Sequence, residues 1–239
     1  MSQLKWEELK VYRPLPKEAL TPAFKDFTAI IAENLLPYGF KKVGRRLIRP
    51  SKDLLQVIHI DTRGSWMGRN ESFETEIGLA TVYDTDCFVK NHELTGSKKI
   101  ERLIPGLKNY GRITQEYKVF AEFYTRTLIE YILPYFRRYS SSTDVLTNRA
   151  QFKVGEVSGR NENLILFCEL AQHMNQEASA ILSRKLVLAR NRSCSDAAIQ
   201  EVERINQYLH ANQWDQIDQI LLDYKSQVVK KLKLKTQGD

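Results

Sequence analysis

The stretch KKVGRRLIR, residues 41–49, gathers Lys41, Lys42, Arg45, Arg46 and Arg49 around Val43, Leu47 and Ile48 with no acid among them. Read as one extended segment, it puts Val43, Arg45, Leu47 and Arg49 on one side, and Lys42, Gly44, Arg46 and Ile48 on the other. If Val43 and Leu47 face a core, Arg45 is at least partly buried between them. A guanidinium removed from water needs an acceptor, whether a carboxylate, a backbone carbonyl or an anionic ligand. Within the chain, Glu74, Glu76, Asp61 and Asp84 are the carboxylates that such an arginine would meet. The two chemistries on offer are therefore an internal ion pair and an anion site.

A second set lies on the following apolar stretch, LLQVIHID, where His59 shares a side with Val57 and Asp61. An Asp61/His59 pair is conceivable as an acid-base couple, although a histidine there is more often simply hydrogen-bonded at a sheet edge. With Trp66 in the next loop and Glu76 beyond it, Arg45 and His59 make up the ligand-binding candidates: Arg45, His59, Trp66 and Glu76. Arg46, Arg49 and Lys52 are the candidates for phosphate contacts in a nucleic-acid reading, where Phe40, Trp66 and Tyr110 supply rings for stacking on bases. That reading lacks a helix-turn-helix, zinc-finger or aromatic ribonucleoprotein signature.

Catalytic motifs are absent from the sequence. His59, His92, His173 and His210 are dispersed, and the H-E-x-x-H spacing of a helical zinc site does not occur. Asp84-Thr85-Asp86 lacks the remaining spacing of a calcium loop and reads as a turn. Neither a phosphate-binding glycine loop nor G-x-S-x-G is present. No metal and no cofactor is expected.

The chain of 239 residues is long enough to bury a real core, as one large domain or two small ones. Its net charge of +7 favours acidic partners without selecting among nucleic acid, an acidic protein and anionic lipid. The charge is patchy: basic from Lys41 to Lys52, mostly acidic from Asp61 to Asp86, and basic again in the tail from Lys225 to Lys235. The tail cations are favourable at a helix C-terminus for dipole reasons alone. Cys87, Cys168 and Cys194 are far apart and form no C-x-x-C pair, which argues for reduced, partly buried thiols. The charged opening MSQLKWEELK is no signal peptide, and no apolar run is long enough to span a membrane, so a cytoplasmic location is expected.

These residues need elements to hold them. LTPAFKDFTAIIAENLLPYGF reads as a helix capped by Thr21, with Pro22 first, Phe24, Phe27, Ile31 and Leu35 along one stripe, and Pro37 and Gly39 as the stop. KKVGRRLIR, LLQVIHID and SFETEIGLATVY read as three strands of an antiparallel meander. In the third, Phe73, Thr75, Ile77 and Leu79 alternate with Glu74 and Glu76. The acidic face has Lys42, Arg46 and Arg49 as expected cross-strand neighbours. Asp84 to Tyr117 carries loop and short-helix signals only. EYKVFAEFYTRTLIEYILPYFRRY is a helix that Pro134 should kink or end. After SSSTD at 140–144, the best boundary, helices are expected at 164–173, 176–190, 195–211 and 213–234, the last two as a hairpin. The fold class is thus α+β: a small antiparallel sheet packed against helices over 1–142, followed by an all-helical region over 143–239.

The succession LLPYGFKKVGRRLIR, LLQVIHIDTRGSW, FETEIGLATVY and ILPYFRRYSS resembles the bacterial family catalogued as domain of unknown function 4304, over roughly residues 20–142. The resemblance implies the same α+β architecture and brings no catalytic residues to carry over. The expected function is a non-enzymatic protein- or ligand-binding module, immunity- or adaptor-like, whose partner is a protein or a small anionic ligand. The alternatives are a nucleic-acid-associated protein using residues 41–52 and an enzyme centred on Arg45 and His59.

Overall fold

The computed structural model describes residues 13–62, 72–85, 98–104, 111–152, 161–191 and 194–234. Leu20, Phe24, Phe27, Ile31 and Leu35 recur at helical spacing and make the buried stripe of helix α1 (Lys17–Leu35). The helix starts ahead of the expected Thr21 cap: Pro16 stands at its N-cap, and Pro22 lies inside it. Burial of Leu20 and Ala23 extends the apolar stripe toward the N-terminus and offsets the hydrogen bond that Pro22 cannot donate. The stop is where Pro37 and Gly39 put it. Leu36–Tyr38 tighten into a 3-10 turn, the Gly39 amide donates to the Leu36 carbonyl (2.9 Å) and the Phe40 amide to the Leu35 carbonyl (3.4 Å), a Schellman closure.

The basic stretch is a hairpin rather than the single strand expected. Strands β1 (Lys41–Val43) and β2 (Arg46–Ser51) pair antiparallel with Val43 opposite Arg46, which leaves Gly44 and Arg45 as the turn. Gly44 has φ 61°, whereas Arg45 stays out of the left-handed region, the pattern of a type II′ turn with glycine first. Arg45 is therefore carried at a hairpin tip. Its side chain is 60% exposed, which corrects the expectation that it is sandwiched between Val43 and Leu47.

Strands β3 (Leu54–Thr62) and β4 (Ser72–Thr81) continue the sheet, whose order is β1-β2-β3-β4-β5. β5 (Lys98–Lys99) pairs with Glu76 and Ile77 of β4, and β6 (Gly111–Arg112) with Ser72 and Phe73. These two-residue strands carry no alternation of their own and fall where the sequence assigns none. β4 shows the expected burial, with Phe73, Thr75, Ile77 and Leu79 inside and Glu74 and Glu76 half-exposed. Gly111 lies opposite Phe73, and a Cβ there would overlap the Phe73 ring, so this register admits only glycine.

The helical segment that follows runs from α2 (Tyr117–Thr127) through a π turn (Leu128–Ile132) into α3 (Leu133–Arg137). Pro134 does not end it. The Leu133 amide reaches back five residues to the Leu128 carbonyl, and this widened turn accommodates the proline ring. α1, α2 and β4 meet in an aromatic cluster centred on Phe27, whose ring lies 4.9 Å from Phe73, 5.6 Å from Phe120 and 5.9 Å from Tyr124. The Tyr124 hydroxyl is satisfied by Thr75 at 2.6 Å.

The chain divides into two compact units, neither contiguous in sequence. One comprises Met1–Pro50, Gln56–Gly78 and Ser97–Arg138, the other Ser51–Leu55, Leu79–Gly96 and Tyr139–Asp239. The second unit holds helices α4 (Ser142–Thr147), α5 (Glu162–Ala171), α6 (Ala178–Asn191), α7 (Asp196–His210) and α8 (Trp214–Leu232). SSSTD is the start of α4: Ser141 caps it, and Asp144 accepts from the amides and hydroxyls of Ser140 and Ser141 in a capping box. Asp53 receives the Ser142 amide (2.9 Å) and hydroxyl. The α7/α8 hairpin buries Ile205 and Leu209 with Ile217, Leu221 and Tyr224, as its apolar spacing predicts. No helix among the described residues is long and apolar enough to cross a membrane.

Candidate functional site

A cleft of about 320 Å³ opens between α1 and the β1–β2 hairpin. Thr21, Lys25 and Thr28 follow one another at spacings of four and three, so they share a flank of α1 next to the stripe of Leu20 and Phe24, and all five line the cleft. β1 contributes Lys42, the hairpin turn contributes Gly44 and Arg45, and the end of β3 contributes Thr62. A Cβ built on Gly44 would meet nothing within 4 Å, so the turn leaves open space beside the cations.

Lys42 is held in place from the helix. Its ammonium donates to the Thr28 hydroxyl at 2.9 Å, and that hydroxyl donates in turn to the Lys25 carbonyl at 3.0 Å. Among the described residues no carboxylate pairs with Lys42, and partial burial lowers its pKa below the ordinary lysine value. Among the described residues the ammonium is answered by one neutral hydroxyl.

Arg45 is answered differently. Its Nη1 pairs with Asp61, one of the carboxylates considered from the sequence, and the Arg45 carbonyl accepts from the Ile60 amide at 3.2 Å. Asp61 also has His59 Nε2 within 3.9 Å. Arg45, Asp61 and His59 therefore form a row along the hairpin tip and β3. The pairing is partly exposed, which limits its contribution to stability to about 1 kcal/mol or less.

His59 is held below the ordinary imidazole value, first by burial and then by the nearby Arg46 and Arg45, against which Asp61 acts. Because the unfolded chain takes up this proton before the folded one, the imidazole lowers stability as pH falls through the window between the unfolded and the depressed folded pKa. Above that window it has no effect. Denaturant midpoints measured from about pH 8 to about pH 5 are expected to fall more steeply for the natural chain than for His59→Gln. Equal slopes would show that His59 does not titrate differently in the fold.

The remaining sequence candidates stand as follows. Glu76 lies on β4 opposite Lys99, outside the cleft lining, and Trp66 lies outside the described residues. Glu74 pairs with Lys99 at 2.8 Å. Arg49 is half-buried: its Nε donates to Gln56 at 2.6 Å, its Nη1 to the Tyr38 carbonyl at 3.3 Å, and its guanidinium sits 4.9 Å from the Phe40 ring centroid. Burial and the neighbouring Arg137 lower its pKa. Arg46 faces Val43 across the hairpin, and Lys52 is exposed at the β2–β3 turn with φ 53°.

Sequence reading alone passed over Lys25, Lys42, Thr21, Thr28 and Thr62 as a set. The available signal was the polar i, i+4, i+7 series along α1 beside its apolar stripe. What it lacked was the hairpin that folds Lys42 and Arg45 back against that flank.

Elsewhere, His173 stacks on Trp214 (5.0 Å) and pairs with Asp218 at 3.0 Å, and His210 lies 3.2 Å from Ser179. Among the described residues no three His, Cys, Asp or Glu side chains converge to hold a metal. Cys168 is free and buried, its thiol pushed well up by burial and by Asp53 and Glu169, and Cys194 is free and exposed. His92, Asp86 and Cys87 lie outside the described residues. Comparison with family models, with curated proteins and with solved structures returns no match for this chain.

Proposed function

We propose that this chain is a non-enzymatic binding module, cytoplasmic and adaptor-like in role, whose ligand is a small anion seated between α1 and the β1–β2 hairpin. The observation that carries this reading is the composition of the cleft. Among the described residues its lining holds the cations Lys25, Lys42 and Arg45 and the hydroxyls of Thr21, Thr28 and Thr62, and no carboxylate. Among the described residues only Arg45 of these three cations has an acid beside it. An anion entering there gains charge-assisted hydrogen bonds. Membership of the family that residues 20–142 resemble is part of the same proposal and adds no catalytic group to it.

The test compares thermal unfolding of the natural chain and Lys42→Gln in phosphate and in chloride at matched ionic strength. Phosphate stabilises many proteins non-specifically, so the difference between the two chains is the readout. Lys42 is exposed, so the substitution alone should change stability by no more than about 0.5 kcal/mol. Its expected effect on anion affinity is at least tenfold, about 1.4 kcal/mol. Equal phosphate shifts in both chains would remove the site.

The nucleic-acid reading rests on Arg46, Arg49 and Lys52. Against it, Arg49 is already engaged by Gln56, the Tyr38 carbonyl and the Phe40 ring. Duplex or single-strand binding that weakens steeply with salt and falls on replacing these three residues would reinstate it.

A further inference from the structure

The cleft is larger than a bare inorganic anion needs, and its walls are of two kinds. At about 320 Å³ it lies at the lower end of sites that enclose an organic ligand. Leu20 and Phe24, both core residues of α1, form an apolar wall beside the polar flank of Thr21, Lys25 and Thr28. Leu20 and Phe24 reach the cleft only by their edges, 4% and 9% exposed, and a hydrated ion resting against Lys42 would leave those edges uncovered.

The charge count is equally specific. Among the described residues three cations line the cleft, and Asp61 answers one of them, Arg45. Lys25 and Lys42 remain without a carboxylate among the described residues, which is an excess of two positive charges. A dianion neutralises that excess, whereas a monocarboxylate leaves one ammonium unanswered. The hydroxyls of Thr21 and Thr62 are further donors for an anion with three terminal oxygens, whereas Thr28 gives its one proton to the Lys25 carbonyl.

Resting on the anion-binding reading, we propose that the ligand is an organic phosphate monoester. Its dianionic phosphate lies between Lys42, Lys25 and Arg45, and its apolar ester group lies on Leu20 and Phe24. Binding is non-covalent and no bond of the ligand is broken.

The experiment is calorimetric titration of the full chain with phenyl phosphate, inorganic phosphate, benzoate and phenol at one pH, about 7.5, where the monoester is a dianion. Phenyl phosphate is expected to bind at least tenfold more tightly than each of the other three. Lys42→Gln is expected to weaken it more than tenfold, with circular dichroism confirming that the variant is folded. Thr28→Ala, which removes the hydroxyl that steers Lys42, is expected to weaken phenyl phosphate severalfold.

Inorganic phosphate binding as tightly as phenyl phosphate would overturn the apolar half of this inference while leaving the anion site in place. Benzoate binding as tightly would overturn the dianion half. Failure of all three anions to bind would overturn both this inference and the reading it rests on.

Discussion

Replacing Phe27 by alanine is expected to lower the stability of the chain by about 3–5 kcal/mol, against a typical total of about 5–15 kcal/mol for a folded domain. Phe27 is 0% exposed and sits at the centre of the ring cluster formed by α1, β4 and α2. Truncation removes three ring contacts, each worth about 0.5–1.5 kcal/mol beyond area, and leaves a cavity that Phe73, Phe120 and Tyr124 can close only by leaving their own rotamers. Phe27→Leu keeps much of the volume and should cost distinctly less. Urea unfolding followed by circular dichroism measures both. A loss below about 1 kcal/mol for the alanine variant would mean that this cluster is not the core that holds α1 on the sheet. Because α1 also carries Thr21, Lys25 and Thr28, the same variant should lose anion binding whenever α1 shifts.

Replacing Glu169 by alanine is the second large effect, expected at about 2–5 kcal/mol. Glu169 belongs to α5 and is fully buried, yet its carboxylate serves the start of α6. One oxygen accepts the amides of Glu177 and Ala178, each at 2.8 Å, and so fills the role of an N-cap from outside the helix. The negative charge also lies at the positive end of the α6 dipole. Among the described residues the other oxygen has no hydrogen-bond partner, and the nearest cation, Arg149 Nη1, stands at 3.9 Å. Alanine therefore leaves two amides unpaired, one of them in a buried residue, and opens a void between α5 and α6. Glu169→Gln retains an acceptor oxygen and the shape but not the charge, so an intermediate loss is expected. Amide hydrogen exchange at residues 177–181 should accelerate more than exchange along α8. Uniform acceleration, or none, would show that Glu169 is not the α6 cap.

Both variants concern contacts that no local pattern announces, and the same division runs through the whole chain. Helices α5 to α8 of the second unit were legible because burial at spacings of three and four is written into the residues themselves: Ile205 and Leu209 on α7 and Ile217, Leu221 and Tyr224 on α8 are where their periodicity places them. β4 was legible for the parallel reason, since strict alternation from Phe73 to Leu79 leaves one face apolar. The start of α1 was not, because a proline is favoured at a first helical position and Pro22 imitates one. Burial of Leu20 outweighs that local preference.

The basic stretch shows where sequence reasoning ends. Its charge, its lack of internal acids and the candidacy of Asp61 as partner to Arg45 were all readable from residue types. That Gly44 and Arg45 form a turn was decided by the pairing of Val43 with Arg46, a register set by the rest of the sheet. Alternation counted across a two-residue turn puts Arg45 on a face that the hairpin does not possess. The cleft depends on a further step, the docking of α1 beside that hairpin, which brings Thr28 to Lys42 and leaves Lys42 without an acid among the described residues. Residue order alone determined the long helices, strand β4, their polarity and the reservoir of positive charge, because those follow from neighbours within a few positions. Which cations are neutralised and which face an open cleft was decided only by the tertiary structure, because electrostatic partnership depends on distances in space between residues far apart in the chain.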